Sequence, residues 1–429
     1  MTLVFVTLFA LMLIGLPVAF AILTSGMVYV ATIGMPTQIV AQRLVFGLNS
    51  FTLLAVPLFI LVGNLMDSGG ISKRLTDWAK SLLGWMPGGL GVVTVFSCAI
   101  FAALTGSGPA TVAAIGSIML PAMLNAGYSK ANSTGMVAAA GALGPIIPPS
   151  IPMIIYGVTM SLSIPAMFVA GIIPGLVIAF ALSLVNVFFA LKNPEMRKSA
   201  QEQKFNFKYS MQMLWKALGA LGLPILILGG IYGGIFTPTE SAAVGIVYAL
   251  IVGFALKELK LKDLPRILIS SLKTSTMVNF IIAAASLFSW VVARSQIGVV
   301  VSNWFINLVG GSKNVYLFVL LIILLIVGCL MDNVAATLIL APILIPVGIK
   351  LGCNQLHIGV LFTICLVVGF VTPPFGYNLF TAVSISGLPF KDVVKGTIPY
   401  LIVEILLLFV FAYVPQIITW LPALAGYRY

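Results

Sequence analysis

Charge is the scarcest property of this sequence. Asp, Glu, Lys and Arg together make up 7% of 429 residues, against about 25% in a soluble globular chain. The acids number ten: Asp67, Asp77, Glu195, Glu202, Glu240, Glu258, Asp263, Asp332, Asp392 and Glu404. So few cannot solvate a water-facing surface, which excludes a soluble fold. Histidine is limited to His357, at the start of an apolar run, where it reads as an interfacial residue at a helix end. Four cysteines (Cys98, Cys329, Cys353 and Cys365) lie in or beside apolar segments without CxxC spacing. That spacing supports neither a disulfide framework nor a zinc site. With no His, Cys or paired-carboxylate constellation, an enzyme of the usual hydrolytic or transfer type is disfavoured.

Apolar residues are abundant instead, at 61%. Runs of bilayer-spanning length recur along the chain, so it is read as an all-α integral membrane protein surrounded by lipid. The net charge of +12 comes largely from short loops. One basic segment runs from Lys192 to Lys216, through Arg197, Lys198, Lys204 and Lys208. Another holds Lys257, Lys260, Lys262, Arg266 and Lys273. Loops of this kind are topology signals that stay in the cytoplasm, so the charge does not call for nucleic acid. Residues 2–33 lack a basic leader and continue apolar past signal-peptide length, which predicts a retained helix. Trp78, Trp85 and Trp304 fit interfacial belts or peripheral arm helices.

Several apolar segments are too short to cross alone. Residues 88–104 and 110–127 flank Thr105-Gly106-Ser107-Gly108-Pro109, and residues 315–331 and 334–349 flank Met331-Asp332-Asn333. Each pair predicts a re-entrant hairpin with its tip inside the membrane. Two longer segments, 132–160 and 357–384, are interrupted by Gly144-Pro145-Ile146-Ile147-Pro148-Pro149-Ser150 and by Gly369-Phe370-Val371-Thr372-Pro373-Pro374-Phe375-Gly376. Proline lacks a backbone donor and clashes with the preceding turn, so both helices should unwind there.

These features repeat at one offset. Pro121 and Pro346, Gly127 and Gly352, Gly144 and Gly369, Pro148 and Pro373, and Pro149 and Pro374 are each 225 positions apart. The same offset pairs Ser107 with Asp332 and Gly108 with Asn333. Carrying the basic loops outward puts Lys73, Arg74 and Lys80 inside and 294–313 outside, so the repeats should be inverted. Inverted repeats with broken helices place substrate and ions near the bilayer midplane. The predicted organisation is scaffold and arm helices over 1–87, a hairpin and broken helix over 88–160, and a linking helix, cytoplasmic loop and second scaffold over 161–312. A second hairpin and broken helix follow over 313–385, and a C-terminal helix over 386–429.

Individual residues carry competing readings. The small tip residues Gly106, Ser107 and Gly108 suit close helix packing as well as a site. Asp332 is an expensive intramembrane carboxylate, or a cap for the following half-helix. Thr239 is expected to cap the helix that begins there, with Glu240 in its first turn. Glu404, near Lys395, reads as an interface or snorkelling residue.

The motifs Thr105 to Thr111 (TGSGPAT), Gly144 to Ser150 (GPIIPPS), Gly234 to Ser241 (GIFTPTES) and Gly369 to Leu379 (GFVTPPFGYNL) resemble the large membrane subunit of TRAP (tripartite ATP-independent periplasmic) transporters, along nearly the whole chain. Length and separate-chain organisation look most like sialic acid systems, with C4-dicarboxylate systems possible. The resemblance implies a multi-pass symporter of the bacterial inner membrane that takes up an organic acid with Na+ as coupling ion. It implies a small four-helix membrane subunit (Q), a periplasmic substrate-binding protein, and an elevator motion of hairpins and broken helices. Carried over residue by residue, a first sodium site would use carbonyls around Gly144, Ile147 and Pro149 with Thr105 or Ser107. The repeat then assigns Gly369, Thr372 and Pro374, with Asp332, to a second. Substrate would lie between the tips, touching Ser107, Thr111, Asn333 or Thr337. The rival readings are an autonomous dicarboxylate or anion symporter that needs no binding protein, and a channel.

Overall fold

The computed structural model describes residues 2–194 and 205–427. Glu195, Arg197, Lys198, Glu202 and Lys204 of the first basic segment therefore lie outside the described residues. The described chain is helical throughout, and nine of its helices are long and apolar enough to cross a membrane.

Among the described residues the helices fall into two series of similar order, ten in the first and nine in the second before a final short helix. The first comprises α1 (Thr2–Leu13), α2 (Val18–Thr32), α3 (Gln38–Leu48), α4 (Ala55–Ser68), α5 (Ile71–Leu83), α6 (Gly89–Thr105), α7 (Gly108–Asn125), α8 (Lys130–Gly141), α9 (Ile151–Thr159) and α10 (Ile164–Lys192). The second comprises α11 (Phe207–Tyr232), α12 (Pro238–Ala255), α13 (Leu264–Arg294), α14 (Ile297–Leu308), α15 (Lys313–Leu330), α16 (Asn333–Lys350), α17 (Gln355–Gly369), α18 (Tyr377–Ser386) and α19 (Phe390–Tyr413), followed by α20 (Gln416–Leu424). The 225-residue offset maps α7 onto α16 end to end, α5 onto α14 within one residue, and the first residue of α8 onto the first residue of α17. Gly127 and Gly352, which end the two hairpins, share a left-handed backbone with φ of 79° and 78°. The repeat seen at a few prolines and glycines thus extends to helix boundaries along most of the chain.

The hairpins enter from opposite ends. Helix α19 has 24 residues, a length of about 36 Å at 1.5 Å per residue. Near its start, Gly396 is pressed against the Ala131 carbonyl at the base of the first hairpin. Near its end, the Phe411 carbonyl lies 2.8 Å from His357 Nε2, and Tyr413 donates to the Asn314 carbonyl at 3.2 Å, both at the base of the second. The two bases therefore sit at opposite ends of α19. His357 occupies a helix end as expected, but it is buried and holds α17 to α19 rather than lying at an interface.

Local chemistry sets the breaks. Proline cannot donate at 145, 148 or 149, so α8 ends in short turns, with Gly144 bonding back to Gly141 and Ile147 to Leu143. The Pro148–Pro149 and Pro373–Pro374 peptide bonds are both cis. Protein groups satisfy the exposed backbone that lipid could not: Ser150 Oγ donates to the Pro145 carbonyl and accepts from Met153 N, while Gly376 N reaches the Cys329 carbonyl at 3.4 Å.

Three expectations change. Residues 2–33 are two helices, broken around Gly15 and Pro17. The cap of α12 is Thr237, not Thr239: Glu240 accepts from Thr237 N at 2.8 Å while Thr237 Oγ1 accepts from Glu240 N at 3.3 Å, a capping box two residues earlier. Thr239 instead donates to the Phe51 carbonyl at 3.1 Å. Glu404 neither snorkels nor pairs with Lys395; it is 1% exposed in mid-helix, and neither carboxyl oxygen has a protein partner.

Candidate functional site

The two hairpin tips meet at a cavity of about 480 Å³. Thr105 through Ala110 line one side, and Asp332, Asn333 and Val334 the other. Pro145 and Phe370, from the two broken helices, also line it, as does Tyr377 at the start of α18. The remaining wall is α4, through Gly63, Asn64 and Asp67, and α13, through Thr274, Met277 and Ile281. Asp67 lies near the end of α4 and Thr274 follows Lys273, so the cavity runs from the tips toward the face bearing the basic loops.

The first tip is held by its own hydroxyls. Thr111 Oγ1 donates to the Ser107 carbonyl at 2.8 Å and lies 3.3 Å from Thr105 Oγ1, which in turn accepts from Ser107 N at 3.4 Å. The first break abuts this tip. A methyl carbon added to Gly144 would sit 2.5 Å from the Ser107 carbonyl oxygen, and one on Gly106 would sit 2.8 Å from that of Pro149. Ser107, Thr105, Gly144 and Pro149 therefore come together around one tip. Ile147 does not share the cavity: its side chain packs against Gly175 and lines a separate apolar cleft, leaving only its carbonyl for such a site.

The second tip is built differently. Asp332 caps α16, its Oδ1 accepting from Val334 N at 2.8 Å. Asp332 thus caps a helix and also lines the cavity. Asn333 is 1% exposed; its Oδ1 accepts from Thr337 at 3.1 Å and its Nδ2 has no protein partner. Gly369 backs onto Gly328, where an added methyl would meet backbone at 2.4 Å. Thr372 donates its hydroxyl to the Val368 carbonyl at 2.9 Å, leaving its oxygen lone pairs free. Pro374 is exposed. Of the four residues assigned to substrate, Ser107 and Asn333 line the cavity, whereas Thr111 and Thr337 are buried behind the tips and brace them.

One residue escaped sequence reasoning. Asn378, on α18, is fully buried against the first tip: its Nδ2 donates to the Ala138 carbonyl at 3.0 Å and its Oδ1 has no protein partner. The GFVTPPFGYNL stretch contained it, but only the helix break drew notice there.

The chemistry of the cavity is lopsided. Its lining includes two carboxylates, Asp67 and Asp332, and no Arg, Lys or His. It also receives the N-terminus of the 18-residue α7, whose cap residue Ser107 makes no side-chain capping bond. Unpaired N–H groups and the positive dipole end make such a terminus an acceptor of anions. Among the described residues, no group of three or more His, Cys, Asp or Glu side chains could hold a metal ion.

Residues 5–417 match the family model described as the Tripartite ATP-independent periplasmic transporter, DctM component. The chain belongs to this family. It is 37% identical over 441 residues to the C4-dicarboxylate TRAP transporter large permease protein DctM of Rhodobacter capsulatus, covering 99% of both chains. It is 34% identical over 416 residues to the sialic acid large permease protein SiaM of Vibrio cholerae, covering 96% of both. An isethionate TRAP permease, DctMQ of Oleidesulfovibrio alaskensis, is 38% identical over 95% of this chain, which spans 64% of that longer protein. In fold, the chain superposes on the crystal structure of the YdaH transporter of Alcanivorax borkumensis with a TM-score of 0.64 over 88% of both chains, at 14% identity. This TRAP large permease is thus a multi-pass inner-membrane transporter component and not an enzyme. Relatives named for three different acids lie at similar identity, so likeness does not single out sialic acid as cargo.

Proposed function

We propose that this permease is the translocating subunit of a sodium-driven importer of an organic acid anion, of the sialic acid or C4-dicarboxylate class. A periplasmic binding protein delivers the acid and a small four-helix membrane subunit buttresses the permease. The observation that carries the reading is the charge of the cavity. An anion entering a low-dielectric site beside Asp67 and Asp332, with no basic side chain to meet it, is repelled unless cations accompany it. Sodium at the tips supplies that charge, held by carbonyl oxygens of the Gly144–Pro149 and Gly369–Pro374 turns together with Thr105, Ser107, Thr372 and Asp332. The acid then lies between the open N-terminus of α7 and the free Nδ2 of Asn333. Hairpins and broken helices move together as an elevator against α4 and α13, the walls the cavity shares with the scaffold.

Proteoliposomes carrying this permease, its small subunit and its binding protein test the reading. Uptake should require both an inward sodium gradient and the binding protein. Uptake by the permease alone, or uptake that follows the acid's own gradient without sodium, would contradict it.

A further inference from the structure

The two tips differ at one position that the repeat makes comparable. Asn333 opens α16, and its counterpart 225 residues earlier is Gly108, which has no side chain. The second tip therefore owns an amide that the first lacks. The structure places another amide at that spot. Oδ1 of Asn378 lies 2.7 Å from where the first side-chain carbon of residue 108 would be. Asn378 comes from α18, in the other repeat, which packs along α7 and α8. Its own counterpart in the first repeat is Met153, an apolar side chain set against Gly171. The amide is thus supplied across the repeat boundary, and in one direction.

The orientation of that amide is fixed. Nδ2 donates to the Ala138 carbonyl at 3.0 Å. A flipped amide would put two oxygens against each other there, so Oδ1 must be the atom that faces the tip. It is buried on a residue 0% exposed and accepts nothing from the protein. A buried polar oxygen without a partner is destabilising, and a bound cation would remove that cost. Backbone converges on the same place. The Gly141 carbonyl oxygen would lie 3.3 Å from a methyl on Gly108, and the Ser107 carbonyl borders Gly144.

We propose that Asn378 Oδ1 is a ligand of the cation at the first hairpin tip, and that it couples this ion to the one at the second break. Helix α18 starts where the Gly369–Gly376 turn ends, and Asn378 N bonds back to the Phe370 carbonyl at 3.1 Å. A cation that orders the second turn therefore sets the position of the oxygen at the first tip. The two ions bind cooperatively through one side chain. The inference rests on the sodium-coupled reading above.

Sodium titration of the purified permease, read by thermal stability, and of uptake in the reconstituted system test it. Asn378→Leu keeps the bulk and removes the oxygen. It should raise the sodium concentration for half-maximal uptake by about tenfold and bring the Hill coefficient down toward about one. Asn378→Asp keeps an oxygen for the cation and loses the donor to Ala138; it should hold the sodium requirement within about threefold of wild type. If both variants lower stability alike and leave the sodium dependence of wild type unchanged, Asn378 is a structural clamp and the proposal is overturned. Should Asn378→Leu not fold, Asn378→Ala, which also lacks the oxygen, replaces it: a sodium requirement raised by about tenfold is expected, and a wild-type sodium dependence would overturn the proposal. A wild-type permease that ignores sodium in both assays would instead overturn the sodium reading itself.

Discussion

Asn333 and Thr337 form a buried amide–hydroxyl pair at the second tip. Thr337 Oγ1 lies 3.1 Å from Asn333 Oδ1, and Nδ2, which has no protein partner, is the donor that the proposed reading offers to the acid. Asn333→Ala removes that donor, and uptake should fall by about tenfold, equivalent to about 1.4 kcal/mol, with the sodium requirement unaltered. Thr337→Val removes only the brace and should cost less than Asn333→Ala in the same assay. An effect of Thr337→Val equal to or above that of Asn333→Ala would place the hydroxyl itself on the acid. At this scale the sequence was informative about residue type and less so about depth. Asp332, Ser107 and Asn333 stood out because polar groups between apolar half-helices are costly. The distinction between lining the cavity (Ser107) and bracing it from behind (Thr111) is set by side-chain direction. Asn378 stayed hidden for a related reason: its partner is 240 residues away at Ala138, and no local pattern announces a contact across repeats. Glu404 was misplaced because nearness to Lys395 in sequence says nothing about which face of α19 is buried.

Helix pairs are where glycine placement becomes energy. Gly396 of α19 leaves no room: a methyl there would lie 1.9 Å from the Ala131 carbonyl oxygen. Small residues let membrane helices approach closely and gain packing that lipid cannot match. Gly396→Ala should destabilise the α8–α19 contact by about 1–3 kcal/mol, seen as a lowered thermal midpoint. Gly229 of α11 meets nothing within 4 Å, so Gly229→Ala should be neutral or stabilise by up to about 1 kcal/mol from helix propensity. Equal losses at both positions would contradict the packing account. The hairpins and broken helices were legible because glycine and proline mark helix ends at one offset in both halves. The break within residues 2–33 was not, since a single Gly15 and Pro17 in an apolar run also suit a kinked continuous helix. The cap of α12 moved by two residues because threonines at 237 and 239 offer the same chemistry; Glu240 three residues after Thr237 decides between them.

Over the whole molecule, the basic loops and the inverted halves fix which way the cavity runs. Asn64 and Thr274 line it on the side of those loops. Single cysteines placed there should react with a membrane-impermeant thiol reagent in inside-out vesicles, and resist it in right-side-out vesicles; the reverse pattern would invert the assigned topology. By contrast, the Arg74–Glu258 pair at 3.0 Å is partly exposed on both partners. Such pairs contribute about 0–1 kcal/mol, so Arg74→Ala should leave thermal stability nearly unchanged. The central claim is that an anion binds in a cavity without basic side chains because sodium supplies the missing charge. Binding of the cognate acid to the purified permease, measured by calorimetry in sodium and in choline, tests it most directly. Binding should appear in sodium and weaken by at least about tenfold in choline; equal affinity in the two salts would contradict the account.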